Sequence, residues 1–489
     1  MKIIFDKSIQ GRRGATLPQL EPGIDAQLKI DKRYLRAQPA ELPELSELDV
    51  MRHFTELSNR NFGVDSGFYP LGSCTMKYNP KICEKVAALE GFAGLHPFLP
   101  QLPQGSQLTQ GALEVIYELE TLLCEISGMA ACTLQPLAGA HGELCGMSLI
   151  AAYHRGRGNT DKKEILIPDE AHGTNPASAV GVGFVTKPVP TDPKTGRLDI
   201  TALKGMINDH TAGIMLTNPN TLGIFNSEID QVVELAHSHG ALVYYDGANL
   251  NAVLGAFRPG DADIDVMHIN LHKTFATPHG CGGPGSGPVC VRENLVEYLP
   301  ISRVVKKQDN TFALDYNQPK SIGYTAPFYG SFLVYLKAYV YILSLGKQGL
   351  IEASQHAVLN ANYLMNMLKG DYELPYDRRC MHEFVLSASK QAKQGVHALD
   401  IAKALIDRGF HPPTVYFPLI VKEAIMIEPT ETESKETLDA FIQAMKEIAA
   451  AAQSDPKSLN AAPVNTRISR PDEVQAARGM DFNLGLQNE

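Results

Sequence analysis

The fold is decided by residues 241–275, which read ALVYYDGANLNAVLGAFRPGDADIDVMHINLHKTF. Two short apolar runs in this segment, 241–246 and 265–270, are typical of strands that are buried on both faces. A charged residue follows closely in each case, since Asp246 closes the first run and Lys273 comes just after the second. Ligands of open α/β sheets bind beyond the carboxyl ends of the strands, so the segment predicts a site together with a fold.

Similar apolar runs occur on both sides of this segment, and stretches with helical spacing separate them. The alternation predicts an α/β fold with an open, mostly parallel sheet that has helices on both faces. The further strand candidates are ACTLQ (131–135), EILIP (164–168), GFVTKPV (183–189), AGIMLTN (212–218) and GPVCVRE (287–293).

The regions before and after the predicted sheet have different sequence patterns. The N-terminal region is rich in proline with one helical stretch at 47–60, and two long amphipathic helices, broken near Gly346–Gly349, follow Pro327. Strand and helix patterns then alternate once more, at 382–387, 397–408, 424–429 and 434–452. We therefore predict an N-terminal arm (1–105), a large domain (106–327), a smaller α+β domain (328–454) and a polar tail (455–489) that packs across a neighbour.

Composition excludes several classes of protein. A net charge of −10 on 489 residues, with 44% hydrophobic content, excludes a disordered chain and a basic nucleic-acid binder. The eight cysteines include no CxxC pair, so we predict no disulfide framework and no metal site. The N-terminus has only Ile3, Ile4 and Phe5 before Asp6, and Lys337 interrupts the most apolar stretch. We expect a cytoplasmic enzyme without a membrane span.

Polar residues follow the predicted strands in a recurring way. A small-residue turn, LAGAHGE (137–143), leads into a helix predicted over 144–154, where backbone amides can hold a phosphate. His172 follows the next strand, and Asp246 needs a cationic or donating partner because an unpaired buried carboxylate is costly. Taken alone, the turn is equally consistent with no ligand, and His172 with a capping or core residue.

Together these residues are the parts that hold pyridoxal 5′-phosphate. Lys273 would form the Schiff base, Asp246 would keep the ring nitrogen protonated, and His172 would stack on the ring. The amides of Ala138, Gly139 and Ala140 would take the phosphate. The remaining predicted cofactor contacts are Thr217, Asn220, Ala248 and His272.

Other cofactors are less consistent with the sequence. It contains no GxxxxGK[ST] motif, and the glycine-rich stretch GCGGPGSGP (280–288) opens no clear helix, as a dinucleotide fingerprint would. We interpret these glycines as residues that let the backbone turn tightly beside the cofactor.

At these residues the chain resembles a known family, the P-protein of the glycine cleavage system, a pyridoxal-phosphate glycine dehydrogenase (decarboxylating). The most specific likeness is the pair PLGSCTMKYNP (70–80) and NLHKTFATPHGCGGPG (270–285). The chain is similar to the lysine-bearing C-terminal half of fused relatives, known as subunit 2 where the enzyme is split. Fused relatives have a serine where Ala138 stands, so the phosphate here would depend more on backbone amides. The other matching stretches are QPLAGAHGE (135–143), DEAHGTNPAS (169–178), YYDGANLNA (244–252), HEFVLS (382–387) and residues 411–441.

The resemblance implies a fold-type I pyridoxal-phosphate transferase of the aspartate-aminotransferase type. Glycine would displace Lys273 from the cofactor, lose its carboxylate as CO₂, and pass an aminomethyl group to the lipoyl arm of H-protein. It also implies a companion subunit 1, two copies of each subunit, and no nucleic acid or membrane as partner. The segment 66–77 would line the glycine pocket, with Ser73, Cys74, Thr75 and Lys77 as candidates, although a purely structural arm is as consistent.

Two alternatives stay open at this point. A cysteine-desulfurase-like lyase would share the lysine and the aspartate and would use Cys380 as its nucleophile. A catalytically silent scaffold half of a larger enzyme is the other alternative, but such a half has no reason to keep Lys273 within a complete cofactor set.

Overall fold

The computed structural model describes residues 2–23, 31–38, 40–102, 104–279 and 285–479. Contacts divide the chain into two compact units, residues 1–66 and 67–489. The boundary therefore differs from the arm predicted over 1–105, because 67–105 belong with the larger unit. Phe68 and Cys83 are the reason, since each is buried in one of that unit's hydrophobic cores.

Within the described residues, strands and helices alternate as the sequence predicts. The strands are β1 (Ala131–Thr133), β2 (Glu164–Pro168), β3 (Val185–Val189), β4 (Thr211–Thr217), β5 (Leu242–Gly247), β6 (Val266–Ile269), β7 (Val289–Val291), β8 (Arg303–Lys306), β9 (Phe312–Asp315), β10 (Phe384–Ser387), β11 (Thr414–Val415) and β12 (Ala424–Ile427). The helices are α1 (Glu47–Ser58), α2 (Lys81–Ala87), α3 (Glu90–Ala93), α4 (Gly105–Leu108), α5 (Gln110–Ser127), α6 (Gly139–Gly156), α7 (Thr174–Val182), α8 (Ile200–Met206), α9 (Ile229–Ser238), α10 (Leu271–Thr274), α11 (Phe332–Leu368), α12 (Ser389–Ala392), α13 (Ala398–Ile406), α14 (Lys435–Ser454), α15 (Pro456–Ala461) and α16 (Glu473–Arg478).

The central sheet has the strand order β1-β7-β6-β5-β4-β2-β3. Strands β6, β5, β4, β2 and β3 run parallel, and β7 is antiparallel to both of its neighbours. The predicted α/β class with a mostly parallel sheet is confirmed. Register pairs Thr217 with Asp246 and Asp246 with His268, so three polar residues lie side by side near the carboxyl ends of adjacent strands.

A smaller antiparallel sheet, β10-β12-β11, has its own hydrophobic core. Helix α11 contributes to both cores, with its first half in the core of the central sheet and its second half in that of the small sheet. The break predicted near Gly346–Gly349 is confirmed, since Gly346 has a φ of 61° inside this helix. A positive φ favours glycine at that position. No helix among the described residues is long and apolar enough to cross a membrane.

Part of the tail, as far as residue 470, contacts the small domain. Leu459 and Ala462 are buried in the core of the small sheet. The Asp407 carboxylate accepts the Val464 N–H at 2.8 Å, and Arg470 pairs with Asp400 at 2.8 Å. This part of the tail therefore packs on its own small domain, and its packing across a neighbour stays a prediction. The inner limits predicted at 327 and 454 stay predictions.

Candidate active site

A cavity of about 220 Å³ lies at the carboxyl ends of β4, β5 and β6. Nine of the residues predicted for the site line it, and six further lining residues were missed because their sequence context is that of core or loop residues. The predicted ones are Ser73, Gly139, Ala140, His172, Thr217, Asp246, Ala248, His272 and Lys273, and the missed ones are Glu143, Thr174, Thr221, Asn249, His268 and Asn270.

Asp246 is buried, with 3% of its surface exposed, and its carboxylate is well supported. Oδ1 accepts the Ala248 N–H at 2.9 Å, and Oδ2 accepts from Asn175 Nδ2 at 3.1 Å. Burial alone would raise the pKa of Asp246, but His268, the Ala248 N–H and the Asn175 amide together lower it below its ordinary value. Asp246 is therefore an ionised carboxylate at the floor of the cavity.

His268 was missed by the sequence analysis because it lies inside an apolar strand. Its Nδ1 lies 2.6 Å from the Tyr244 hydroxyl, and its Nε2 lies 3.4 Å from Asp246 Oδ1. If the hydroxyl donates to Nδ1, the N–H of Nε2 faces the carboxylate. Through this N–H, His268 stabilises the negative charge of Asp246.

The small-residue turn leads into a helix earlier than predicted. Helix α6 begins at Gly139, five residues before the predicted start, and Ala138 precedes it with extended backbone angles. A side chain at position 139 would collide with Asn270, because an added Cβ would lie 2.6 Å from its Oδ1. Glycine thus lets the Asn270 side chain pack against the start of this helix, where Gly139 and Ala140 line the cavity with amides suited to an anion.

His172 lies at the mouth of the cavity with an exposed ring. Its Nδ1 accepts the Thr174 N–H at 3.2 Å, and the Thr174 hydroxyl donates to Glu143 at 2.8 Å. Partial desolvation of the ring at the cavity mouth and the nearby Lys273 charge lower the pKa of His172. The residue is therefore a neutral flat ring, which is the property that stacking requires.

Lys273 lies on the short helix α10, immediately after β6. The neighbouring His272 is neutral, because burial and the adjacent His279 lower its pKa to about 3. Two polar atoms in the cavity wall, Thr217 Oγ1 and Asn270 Oδ1, are buried without a hydrogen-bond partner. The wall thus offers unused hydrogen-bonding groups near the lysine. The glycine-rich turn predicted beside them lies partly outside the described residues, at 280–284.

Asn220 does not line the cavity. Its Oδ1 accepts the N–H groups of Leu222 and Ile224, and its Nδ2 donates to the Gly196 carbonyl at 2.7 Å. The structure therefore gives Asn220 a role in shaping the loop after β4, whereas Thr217 and Thr221 of this region reach the cavity.

The segment 70–75 is fixed to the small sheet. Leu71 bridges to Ile427, and the Glu428 N–H donates to the Pro70 carbonyl at 3.3 Å. Gly72 permits this approach, because a Cβ there would lie 2.2 Å from Met426 Cγ. Ser73, the next residue, forms part of the cavity wall.

Cys74 and Lys77 have different surroundings from Ser73. Burial raises the pKa of the Cys74 thiol to about 11. The Lys77 ammonium is buried and donates to Glu431, to Asn251 Oδ1 and to the Thr274 carbonyl, each at 2.8 Å. All three of its N–H donors have protein partners, so the structure gives Lys77 a structural role, whereas we had predicted one in substrate binding.

We expect Lys77→Met to destabilise the protein strongly. Removing one partner of a buried ion pair leaves the other charge uncompensated, so the free energy of unfolding should fall by about 3 to 5 kcal/mol. Urea unfolding monitored by circular dichroism measures this change. The exposed Lys85 provides the control, since Lys85→Met should change it by less than about 0.5 kcal/mol. Equal losses in the two variants would contradict the structural role of Lys77.

Cys380 does not have the surroundings that a nucleophile on a flexible loop requires. It is buried outside the cavity, its backbone N–H donates to Asn362 at 3.2 Å, and burial raises the pKa of its thiol to about 12. The desulfurase-like alternative is therefore not favoured.

Known families match two long regions of this chain. Residues 19–313 match the glycine cleavage system P-protein family, and residues 353–465 match a family described as glycine dehydrogenase, C-terminal domain. The chain belongs to the P-protein family. The predicted resemblance is confirmed.

Relatives of this P-protein family member match along almost their whole length. A probable glycine dehydrogenase (decarboxylating) subunit 2 from Listeria innocua is 54% identical over 479 residues, covering 98% of this chain and 97% of that protein. A protein with the same description from Caldanaerobacter subterraneus is 54% identical over 480 residues, covering 97% of each.

Solved structures support the fold of this family member. A glycine decarboxylase (P-protein) in inhibitor-bound form has a TM-score of 0.71 at 22% identity, covering 86% of this chain and 93% of that one. Glutamate decarboxylase from Lactobacillus brevis has a TM-score of 0.64 at 14% identity, covering 86% and 96%. The predicted fold-type I architecture is confirmed.

Proposed function

We propose that this chain is the lysine-bearing subunit of a glycine dehydrogenase (decarboxylating). It removes CO₂ from glycine and transfers the remaining aminomethyl group to the lipoyl arm of H-protein, with pyridoxal 5′-phosphate bound at Lys273. Family membership supports this function, and the observation that carries it is one cavity lined by Lys273, Asp246 and the start of α6.

The residues of the cavity fit pyridoxal phosphate. The first turn of α6 offers amides for a phosphate, and Gly139 leaves room for the Asn270 side chain beside this turn. Thr217 Oγ1 and Asn270 Oδ1 are buried polar atoms in need of partners. An ionised Asp246 at the floor suits a protonated ring nitrogen, and Lys273 suits the cofactor's aldehyde carbon.

The bound cofactor supplies the capacity to take up the electron pair released with CO₂. The chain's own residues prepare that step. Asp246 would hold a proton at the ring nitrogen, His172 would stack on the ring without adding charge, and Ala248, which also lines the cavity, would contact it. Lys273 would anchor the ring and move protons at its amino nitrogen.

The glycine pocket is proposed to include Ser73, Cys74 and Thr75. Ser73 reaches the cavity wall, and the segment is held there by its contacts with the small sheet. Both Ser73 and Thr75 have positive φ values, 66° and 52°. Such angles are costly for residues with side chains and are concentrated at functional sites.

Two protein partners are proposed, lipoylated H-protein and a companion subunit 1, with two copies of each subunit. The relatives' description as subunit 2 supports the companion. The N-terminal unit also exposes large apolar side chains, with Leu17 at 86%, Leu20 at 60% and Leu42 at 74% exposure. Apolar surface of this kind is typical of obligate interfaces. A cytoplasmic location stays a prediction.

The test of this function is the exchange of labelled bicarbonate into glycine. We expect the isolated chain to bind pyridoxal phosphate but to catalyse little exchange until both the companion subunit and lipoylated H-protein are added. Each is omitted in turn as the control. Full exchange with this chain and H-protein alone would reject the companion subunit but keep the cofactor, whereas no exchange in the complete mixture would reject the function.

A further inference from the structure

Two buried glutamates face each other at the end of the small sheet. Strands β10 and β12 are antiparallel, with Phe384 opposite Ile427. One residue further along this register, Glu383 stands opposite Glu428, and both side chains are fully buried. Like charges placed directly opposite each other on neighbouring strands destabilise a sheet. The placement of two carboxyl groups here therefore requires an explanation.

The segment that forms the cavity wall contacts both glutamates. The Ser73 N–H donates to Glu383 Oε2 at 2.7 Å. Thr75 donates to Glu428 twice, from its N–H at 2.8 Å and from its hydroxyl at 2.5 Å. Because Ser73 also lines the cavity, the pair lies one residue layer behind the wall that faces Lys273.

The hydrogen bonds do not use every polar atom of the cluster. Glu383 Oε1 and both ring nitrogens of His382 are buried with no hydrogen-bond partner. His382 Nε2 lies 3.9 Å from Glu383 Oε1 and 3.8 Å from Glu428 Oε1. No lysine or arginine in the described part of the chain lies within 4.0 Å of either carboxyl group.

The charges around the pair favour only one ionised carboxyl group. Burial and the charge of Glu428 raise the pKa of Glu383 well above its ordinary value, whereas burial and the charge of Glu431 raise the pKa of Glu428 to about 7. Burial lowers the pKa of His382 to about 3, so its ring is neutral. The other groups that act on the pair are the Cys74 thiol, Glu431, which is itself paired with Lys77, and the cation of Lys273.

We propose that Glu383 and Glu428 share a single proton, so that one negative charge remains behind the cavity wall that faces Lys273. The importance of this charge for the site rests on the proposed function of Lys273. Since neither carboxyl group touches the cavity, both are positioning residues. One negative charge on the pair balances the positive charge of Lys273, whereas two ionised carboxylates would exceed it.

Infrared difference spectra of the full chain test the shared proton. We expect Glu383→Gln and Glu428→Gln each to lose one band of a protonated carboxyl group, since the remaining carboxyl group then ionises. The double variant should lose the same single band. Glu423→Gln is the matched control, because Glu423 also lies at an end of β12 but is hydrogen-bonded to His397 and to the Ala398 N–H.

Several results would overturn this proposal. Single variants that lose no band would mean two ionised carboxylates, and a double variant that loses two bands would mean two protonated groups. A tightly held divalent metal ion that is absent from Glu428→Gln would assign the cluster to a metal. If a glutamine variant does not fold, Glu428→Asp serves instead, and it should keep the band at a shifted position. The infrared readout does not use glycine, so a failure of glycine decarboxylation leaves the shared proton testable.

Discussion

Lys273→Ala should abolish covalent cofactor binding and lower the exchange of bicarbonate into glycine by about a thousandfold or more. Lys273 lies on α10 among the lining residues of the cavity, next to the neutral His272 and His279. The variant keeps the backbone amides of α6 that are proposed to bind the phosphate, and it keeps the carboxylate of Asp246. Some cofactor should therefore still bind without a covalent bond.

Borohydride reduction followed by peptide mapping checks this result. The wild-type chain should carry the pyridoxyl group on Lys273, and the variant should carry none. Lys320→Ala is the control, because Lys320 is exposed and pairs with Glu297 at the surface. A pyridoxyl group on another lysine of the wild-type chain would remove the basis of the proposed site.

Asp246→Asn should keep the fold and some cofactor but lower the exchange rate by about a hundredfold to ten-thousandfold. The amide has the same shape, so the Ala248 N–H still finds an acceptor. It cannot hold a proton at the ring nitrogen as a carboxylate does, and the uptake of electrons by the ring depends on that positive charge.

Two measurements separate this role from a structural one. The thermal unfolding midpoint reports the fold, and the visible absorbance of the bound cofactor reports the charge of its ring. Asp309→Asn, at an exposed turn, serves as the control for both. Near-normal exchange in Asp246→Asn would show that another group supports the ring nitrogen.

Much of the fold follows from local pattern. Apolar runs bounded by polar turns identified all seven strands of the central sheet. Six of them are buried along nearly their whole length and so have few polar residues, whereas the edge strand β3 is largely exposed. The strands that were missed, β8, β9 and β11, are short and partly exposed, so they have no such run. The start of α6 was placed late, because its first turn of glycine and alanine has no apolar periodicity.

Site residues at the ends of strands could be predicted from the sequence. Residues whose role depends on long-range contacts could not. Asp246 lies at the end of β5 and Lys273 shortly after β6, so position alone identified them. His268 looks like a core residue until the register places it beside Asp246. Lys77 looked available until its three acceptors, which come from distant parts of the chain, were known. Glu383 and Glu428 meet only through strand pairing.

Because residues 70–75 are attached to the small sheet, the N-terminal and C-terminal regions of two family members cannot be exchanged independently. The two regions matched by separate family descriptions, 19–313 and 353–465, look like exchangeable modules. Gly72 fits against Met426 of the second region, and the cavity wall at Ser73 is held by Glu383 of that region. In a chimera joined between the two regions, the two residues of each of these contacts would come from different parent proteins. A stable chimera should therefore take residues 70–75 from the same parent protein as its C-terminal region.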